Sequence, residues 1–135
     1  MKTGSLLLRL VLAGGTLLLA DVSLAQDSPV TRTELQRSAI SEMPGQEGVL
    51  YKAVIVPGGA AAKHTHPGDE FAYVLSGTMI LELEGEAPLT LKTGDSVRLP
   101  KGKPHSARNG STTEPVEVLV FLVSEVGKPL ASAVE

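Results

Sequence analysis

GGAAAKHTHPGDEFAYVLSG, residues 58–77, is the stretch on which the reading of the fold turns. It opens on a Gly-Gly turn signal, passes through small residues to His64 and His66, and turns again at Pro67-Gly68-Asp69. A β-rich run from Phe71 to Leu75 follows and is closed by Ser76-Gly77. Two histidines two residues apart on an extended chain point to the same face. The turn after them lets the chain fold back and set the Glu70 carboxylate beside them.

Outward from this stretch the same punctuation recurs. Val49 to Val56 is β-rich and ends at Pro57-Gly58-Gly59. Thr78 to Glu84 alternates, with Met79, Leu81 and Leu83 on one face and Glu82 and Glu84 on the other. Gly85 and Pro88 interrupt it, Leu89 to Leu91 resume, and Ser96 to Leu99 lies between a Gly94-Asp95 turn and Pro100. Val116 to Val123 is the last long run and suits a buried strand. Residues 26–47 are polar. Thr31 with Glu34 reads as a capping box, and Val30 to Leu35 reads equally well as an edge strand, so both stand. About seven short strands, with no helical pattern of any length, predict an all-β sandwich or barrel.

Composition agrees with that class. The 135 residues are 42% hydrophobic and 20% charged, as expected of one globular domain. Fourteen Gly and nine Pro supply turns. With four aromatic residues, Tyr51, Phe71, Tyr73 and Phe121, the core must be built from Val, Leu, Ile and Ala. A net charge of −3, a pI near 5.6 and no Lys/Arg stripe argue against nucleic acid as a partner. The absence of cysteine excludes disulfides, thiolate metal sites and Cys nucleophiles.

The amino terminus reads as an address. Lys2 and Arg9 precede an apolar run from Leu10 to Ala20, and Ser23 and Ala25 are small residues suited to cleavage before Gln26. The run is too short, and followed too soon by Asp21, for a stable membrane anchor. No Cys follows the cut and no Arg-Arg pair precedes the run, against a lipoprotein and the twin-arginine route. The expectation is a signal peptide over 1–25, an N-terminal segment over 26–47, a barrel over 48–127 and a tail over 128–135, in a soluble periplasmic or secreted protein.

The chain has three histidines, His64, His66 and His105. Scattered surface histidines are the plain alternative. A His-x-His pair facing inward, with a carboxylate beside it, would carry a desolvation cost unless something neutralises or bonds the group. One divalent transition-metal ion does both. Three imidazoles and a carboxylate suit Fe, Mn, Ni, Co, Cu or Zn, with His64, His66, Glu70 and His105 as the ligands.

These residues resemble the cupin superfamily. Gly58-x5-His64-x-His66-x3-Glu70-x6-Gly77 matches the first cupin motif, and Gly94-x5-Pro100-x-Gly102-x2-His105-x3-Asn109 matches the second. Sixteen residues separate Gly77 from Gly94, similar to small single-domain microbial cupins. The resemblance covers about residues 48–124. It implies a cupin-type β-barrel (a double-stranded β-helix, jelly-roll-like), often dimeric, with a metal held at the four positions named above. The glycines have their own physical reading: Gly58, Gly77, Gly94 and Gly102 fall where hairpins need positive φ. Asn109 either faces inward and braces its loop or is a plain turn residue.

Four protein ligands on an octahedral ion leave two positions for a small-molecule substrate. The resemblance then admits a dioxygenase acting on a small apolar, diketone or flavonol-like substrate. The alternatives are a non-catalytic metal- or ligand-binding module, a Lewis-acid lyase or isomerase, and a barrel with a closed structural zinc. Glu70 is either a permanent ligand or a carboxylate that also serves as catalytic base. Ala72, Val74, Leu81, Leu83, Val97, Leu99 and Phe121 are expected to face inward. Lys101, Lys103 and Arg108 read as a solvated rim, and Glu82, Glu84 and Glu86 as outward edge protection. The strand character of Val30 to Leu35, with no evident partner inside the barrel, suggests a homodimer.

Overall fold

The computed structural model describes residues 28–134. The proposed leader over 1–25 and the cut before Gln26 lie outside the described residues. Ten strands follow one another: β1 (Val30–Ala39), β2 (Gln46–Ile55), β3 (Ala60–Thr65), β4 (Asp69–Ser76), β5 (Thr78–Leu83), β6 (Leu89–Lys92), β7 (Ser96–Leu99), β8 (His105–Asn109), β9 (Val116–Glu125) and β10 (Ser132–Ala133). They form two five-stranded antiparallel sheets, ordered β1-β2-β9-β4-β7 and β10-β3-β8-β5-β6. The fold is the all-β jelly roll implied by the sequence. The two sheets do not join into a closed hydrogen-bonded cylinder; each keeps its own edges.

Alternation decides which side chains meet between the sheets. On β9, Val116, Val118, Val120 and Leu122 are buried and pack with Val49, Tyr51 and Ile55 of β2 and with Ala72 and Val74 of β4. Met79 and Ala61 approach this cluster from the second sheet, while Leu81, Leu83 and Leu99 make a smaller one beside it. Phe121 is the exception to the expected inward set. It is 41% exposed, because the frame of β9 puts Val120 and Leu122 inside and their neighbour outside. Val97 is half-buried and packs against both clusters.

The structure decides one segment that the sequence left open and adds a second. The Thr31–Glu34 segment is strand, not helix, and it has a partner: β1 pairs with β2 along its length, from Val30 opposite Ile55 to Ala39 opposite Glu47. A bulge between Glu34 and Gln36 changes which side chains of β1 face inward. Further along the chain, β10 pairs with β3, Ser132 opposite Thr65 and Ala133 opposite His64, so these two residues lie against a histidine strand.

The turns are set by backbone needs. Gly58, Gly77, Gly94 and Gly102 all have positive φ, as their spacing predicts. Gly68 is required for a different reason: a Cβ there would fall 1.6 Å from the Val123 carbonyl oxygen. The turn between His66 and Glu70 is therefore pressed directly onto β9.

Candidate metal centre

His64 and His105 are directly opposite each other on β3 and β8, so the ladder itself puts two imidazoles side by side. Their ring centroids are 4.4 Å apart. His66 lies one residue past the end of β3, with its ring 4.9 Å from that of His64 and 5.0 Å from that of His105. Each of the three can offer a nitrogen within 4.8 Å of the others, and all are buried. Glu70 enters from the opposite sheet, on β4. The two motif loops are tied by backbone: the Gly102 N–H donates to the His66 carbonyl at 3.0 Å, and the Lys101 N–H donates to Asp69 Oδ1 at 3.0 Å. Arg98 adds an exposed ion pair to Asp69 at 2.8 Å.

The hydrogen bonds select how the rings present themselves. Nδ1 of His64 donates to the Ala62 carbonyl (2.7 Å), Nδ1 of His66 to that of Leu130 (2.6 Å), and Nδ1 of His105 to that of Lys103 (2.9 Å). A neutral imidazole with its proton on Nδ1 leaves Nε2 as a lone-pair donor, the arrangement that outer-shell carbonyls give to metal-bound histidines. Burial holds His64 near a pKa of about 4, partly opposed by its bond to Ala62, and burial also lowers His105. Both rings are thus neutral at physiological pH.

Glu70 completes the group from one side. Its Oε2 lies 2.9 Å from His66 Nε2 and accepts the Tyr51 hydroxyl at 2.8 Å. Burial pushes the Glu70 carboxyl up, but His66 and Tyr51 more than offset it and hold the group below the usual carboxylate range. Burial, then the Glu70 charge, raises Tyr51 far above the ordinary phenol range, so its hydroxyl stays a donor. His66 accordingly has an oxygen acceptor at each ring nitrogen. With Glu70 ionised, that geometry is satisfied by an imidazolium or by a cation that takes both Nε2 and Oε2. The donor set fits a divalent transition metal.

Above the histidines is a narrow cavity of about 50 Å³. Ala72, Leu81 and Leu99 line it as expected, joined by Ala53, Val118 and Val120. Val74 and Leu83 are buried without lining it. Lys101, Lys103 and Arg108 point away and pair with Glu125 (3.0 Å), Glu86 (3.1 Å) and Glu82 (3.7 Å). Outward-facing Glu84 is held by Lys63 at 2.6 Å. Asn109 is the inward brace of its two readings: its Nδ2 donates to the carbonyls of Ile55, Val56 and Glu114, and its Oδ1 accepts from Ser111 N–H. Three contributors escaped the sequence reading. Tyr51 shares the inward frame of Val49 and Ile55, and Arg32 shares that of Val30, so alternation alone would have found both. The Leu130 carbonyl carries no signal in sequence.

The cupin domain family matches residues 51–122, from β2 through β9. The chain belongs to the cupin family. It is similar to Protein SchB of Streptomyces halstedii, 35% identical over 68 residues that make up 50% of this chain and 49% of that protein. The DMSP lyase DddQ of Ruegeria pomeroyi superposes with a TM-score of 0.58 at 27% identity, over 64% of this chain and 42% of that one. A cupin-like protein of Thermotoga maritima superposes equally well, at 0.58 and 22% identity, over 80% and 77% of the two chains. This cupin thus spans about half the length of the curated relative it matches, and less than half of the lyase. The three histidines form a group able to hold a metal ion, the cofactor that the motifs imply.

Proposed function

We propose that His64, His66, His105 and Glu70 hold one divalent transition-metal ion, and that this cupin uses it on a small molecule bound in the adjoining cavity. The observation that carries this reading is the locking of all three Nδ1 atoms onto backbone carbonyls, which leaves Nε2 as the donor atom of three buried imidazoles whose nitrogens come within 4.8 Å of one another. The bound ion would supply Lewis-acid polarisation of a substrate oxygen.

Size narrows the substrate. A single water needs roughly 10–15 Å³ of such space, so about 50 Å³ holds a group of only a few heavy atoms. The small volume favours a compact substrate over a flavonol. Similarity to a lyase at 27% identity, together with a buried carboxylate held ionised beside the cavity, supports elimination or isomerisation of a small substrate as the first reading. In it Glu70 is not a permanent ligand but the carboxylate that takes the substrate proton, and the Tyr51 hydroxyl orients Oε2 and stabilises its charge. Oxygenation of a small chelating substrate is the second reading. It is favoured by the largely apolar lining beside the histidines.

Loading with different metals separates the two. Lewis-acid chemistry predicts turnover in the Zn form without O2 uptake. Oxygenation predicts O2 uptake in Fe or Mn forms and silence with Zn. Small ligands that bind without turning over in any form would leave a binding module. Export belongs to the same proposal, and amino-terminal sequencing of the secreted chain should begin at Gln26.

A further inference from the structure

Arg32 stands outside the segment matched by the cupin family, on β1, yet it lines the cavity together with the three histidines, Glu70 and Tyr51. The register explains how. Directly paired residues share a face, and Arg32 is opposite Ala53, whose small side chain also lines the cavity. The guanidinium is thereby directed over the inner face of the first sheet at an edge that the second sheet leaves open; Arg32 itself is exposed. Its charge bears on Tyr51, His64 and His105 alike, a minor influence beside burial in each case.

Among the described residues Arg32 is the sole Lys or Arg lining this cavity. The nearest carboxylate on its own strand face, Glu34, is occupied by Arg37 at 2.8 Å, and Arg37 also pairs with Glu47. Among the described residues Arg32 forms no ion pair of its own. An arginine at the mouth of a small apolar cavity, beside the Tyr51 hydroxyl and without an ion-pair partner, presents a planar fork that matches the two oxygens of a carboxylate. A doubly charged phosphate would call for more than one cation, and the lining offers no second one.

We propose that Arg32 anchors the substrate and that the substrate is a small carboxylate, with its carboxylate on the guanidinium at the mouth and its few remaining atoms among the apolar side chains, pointing to the histidines. The proposal rests on the reading of the histidine group as the reacting centre. It makes Arg32 a specificity-determining residue supplied by the N-terminal strand, and it explains why a strand outside the matched domain runs the full length of β2.

The test is calorimetric binding of propionate, its neutral isostere propionamide, and inorganic phosphate to the full chain, with metal content measured on the same samples. Propionate should bind the wild type at least about tenfold more tightly than propionamide or phosphate, the worth of one charge-assisted pair at a half-open mouth. Arg32→Gln should abolish that preference while leaving metal content, circular dichroism and propionamide binding unchanged. Arg32→Lys should restore part of it, having the charge without the fork. Propionate binding that is equal in wild type and Arg32→Gln, a preference for phosphate, or no saturable propionate binding to metal-loaded wild type would overturn the anchor and leave the metal centre standing. A wild type without metal whose propionate binding still depends on Arg32 would instead overturn the metal reading and keep the anchor.

Discussion

His64 shows how a single burial decides the chemistry of the site. Its folded pKa is about 4, against about 6.5 in an unfolded chain, so the unfolded state binds more protons between those values. Metal-free protein should therefore lose stability as pH falls from about 6.5 to about 4, with His105 acting in the same direction; below that window the histidine contribution is exhausted and the lowered Glu70 carboxyl continues the loss. Thermal melts of the apo protein across pH 4–7 read this directly; melting temperatures independent of pH there would contradict the burial argument. Tyr51 acts through Glu70. Its hydroxyl helps to hold the carboxyl low, so Tyr51→Phe should raise the Glu70 pKa and move the acid limb of any turnover profile to higher pH. Loss of one hydrogen bond to a buried charge should also cost about 1.5–3 kcal/mol of stability by denaturant titration.

At the level of the elements, Asn109 and Gly68 hold the site in place. One side chain of β8 binds the end of β2 and the loop before β9, and Asn109→Ala would remove its donations to the Ile55, Val56 and Glu114 carbonyls, that of Ile55 buried. The expected cost is about 2–4 kcal/mol, measured by urea unfolding, with most of the strand signal retained in the folded fraction. Gly68→Ala should be harsher in effect on the site than on the core, because the turn must lift off Val123 and carry Glu70 with it.

These elements also show what a sequence exposes and what it hides. The three histidines were legible because strand parity and turn glycines are local rules; the fold brings them together, with Glu70 beside His66 at 2.9 Å. Phe121 was assigned to the wrong face because Val116–Val123 is apolar at nearly every position, and a run without alternation carries no frame. The partner of β1 was hidden because pairing with β2 is set by tertiary register. The Leu130 carbonyl that fixes His66 lies 64 residues away in the chain, with no side-chain chemistry to mark it.

For the whole molecule, the two sheets act as a clamp in which one supplies Glu70, Tyr51 and Arg32 and the other supplies His64 and His105. Among the described strands β1 has β2 as its one neighbour, so its other edge remains open to a second copy. Light scattering at micromolar concentration should give the mass of two chains, and a monomer persisting at high concentration would contradict that expectation. The central claim concerns the ion. Metal analysis of protein purified without chelators should find about one transition-metal ion per chain in the wild type. The His64→Ala/His66→Ala double variant should contain almost none, while its β-rich circular dichroism stays close to that of the wild type. A double variant that still carries one ion per chain would contradict the site.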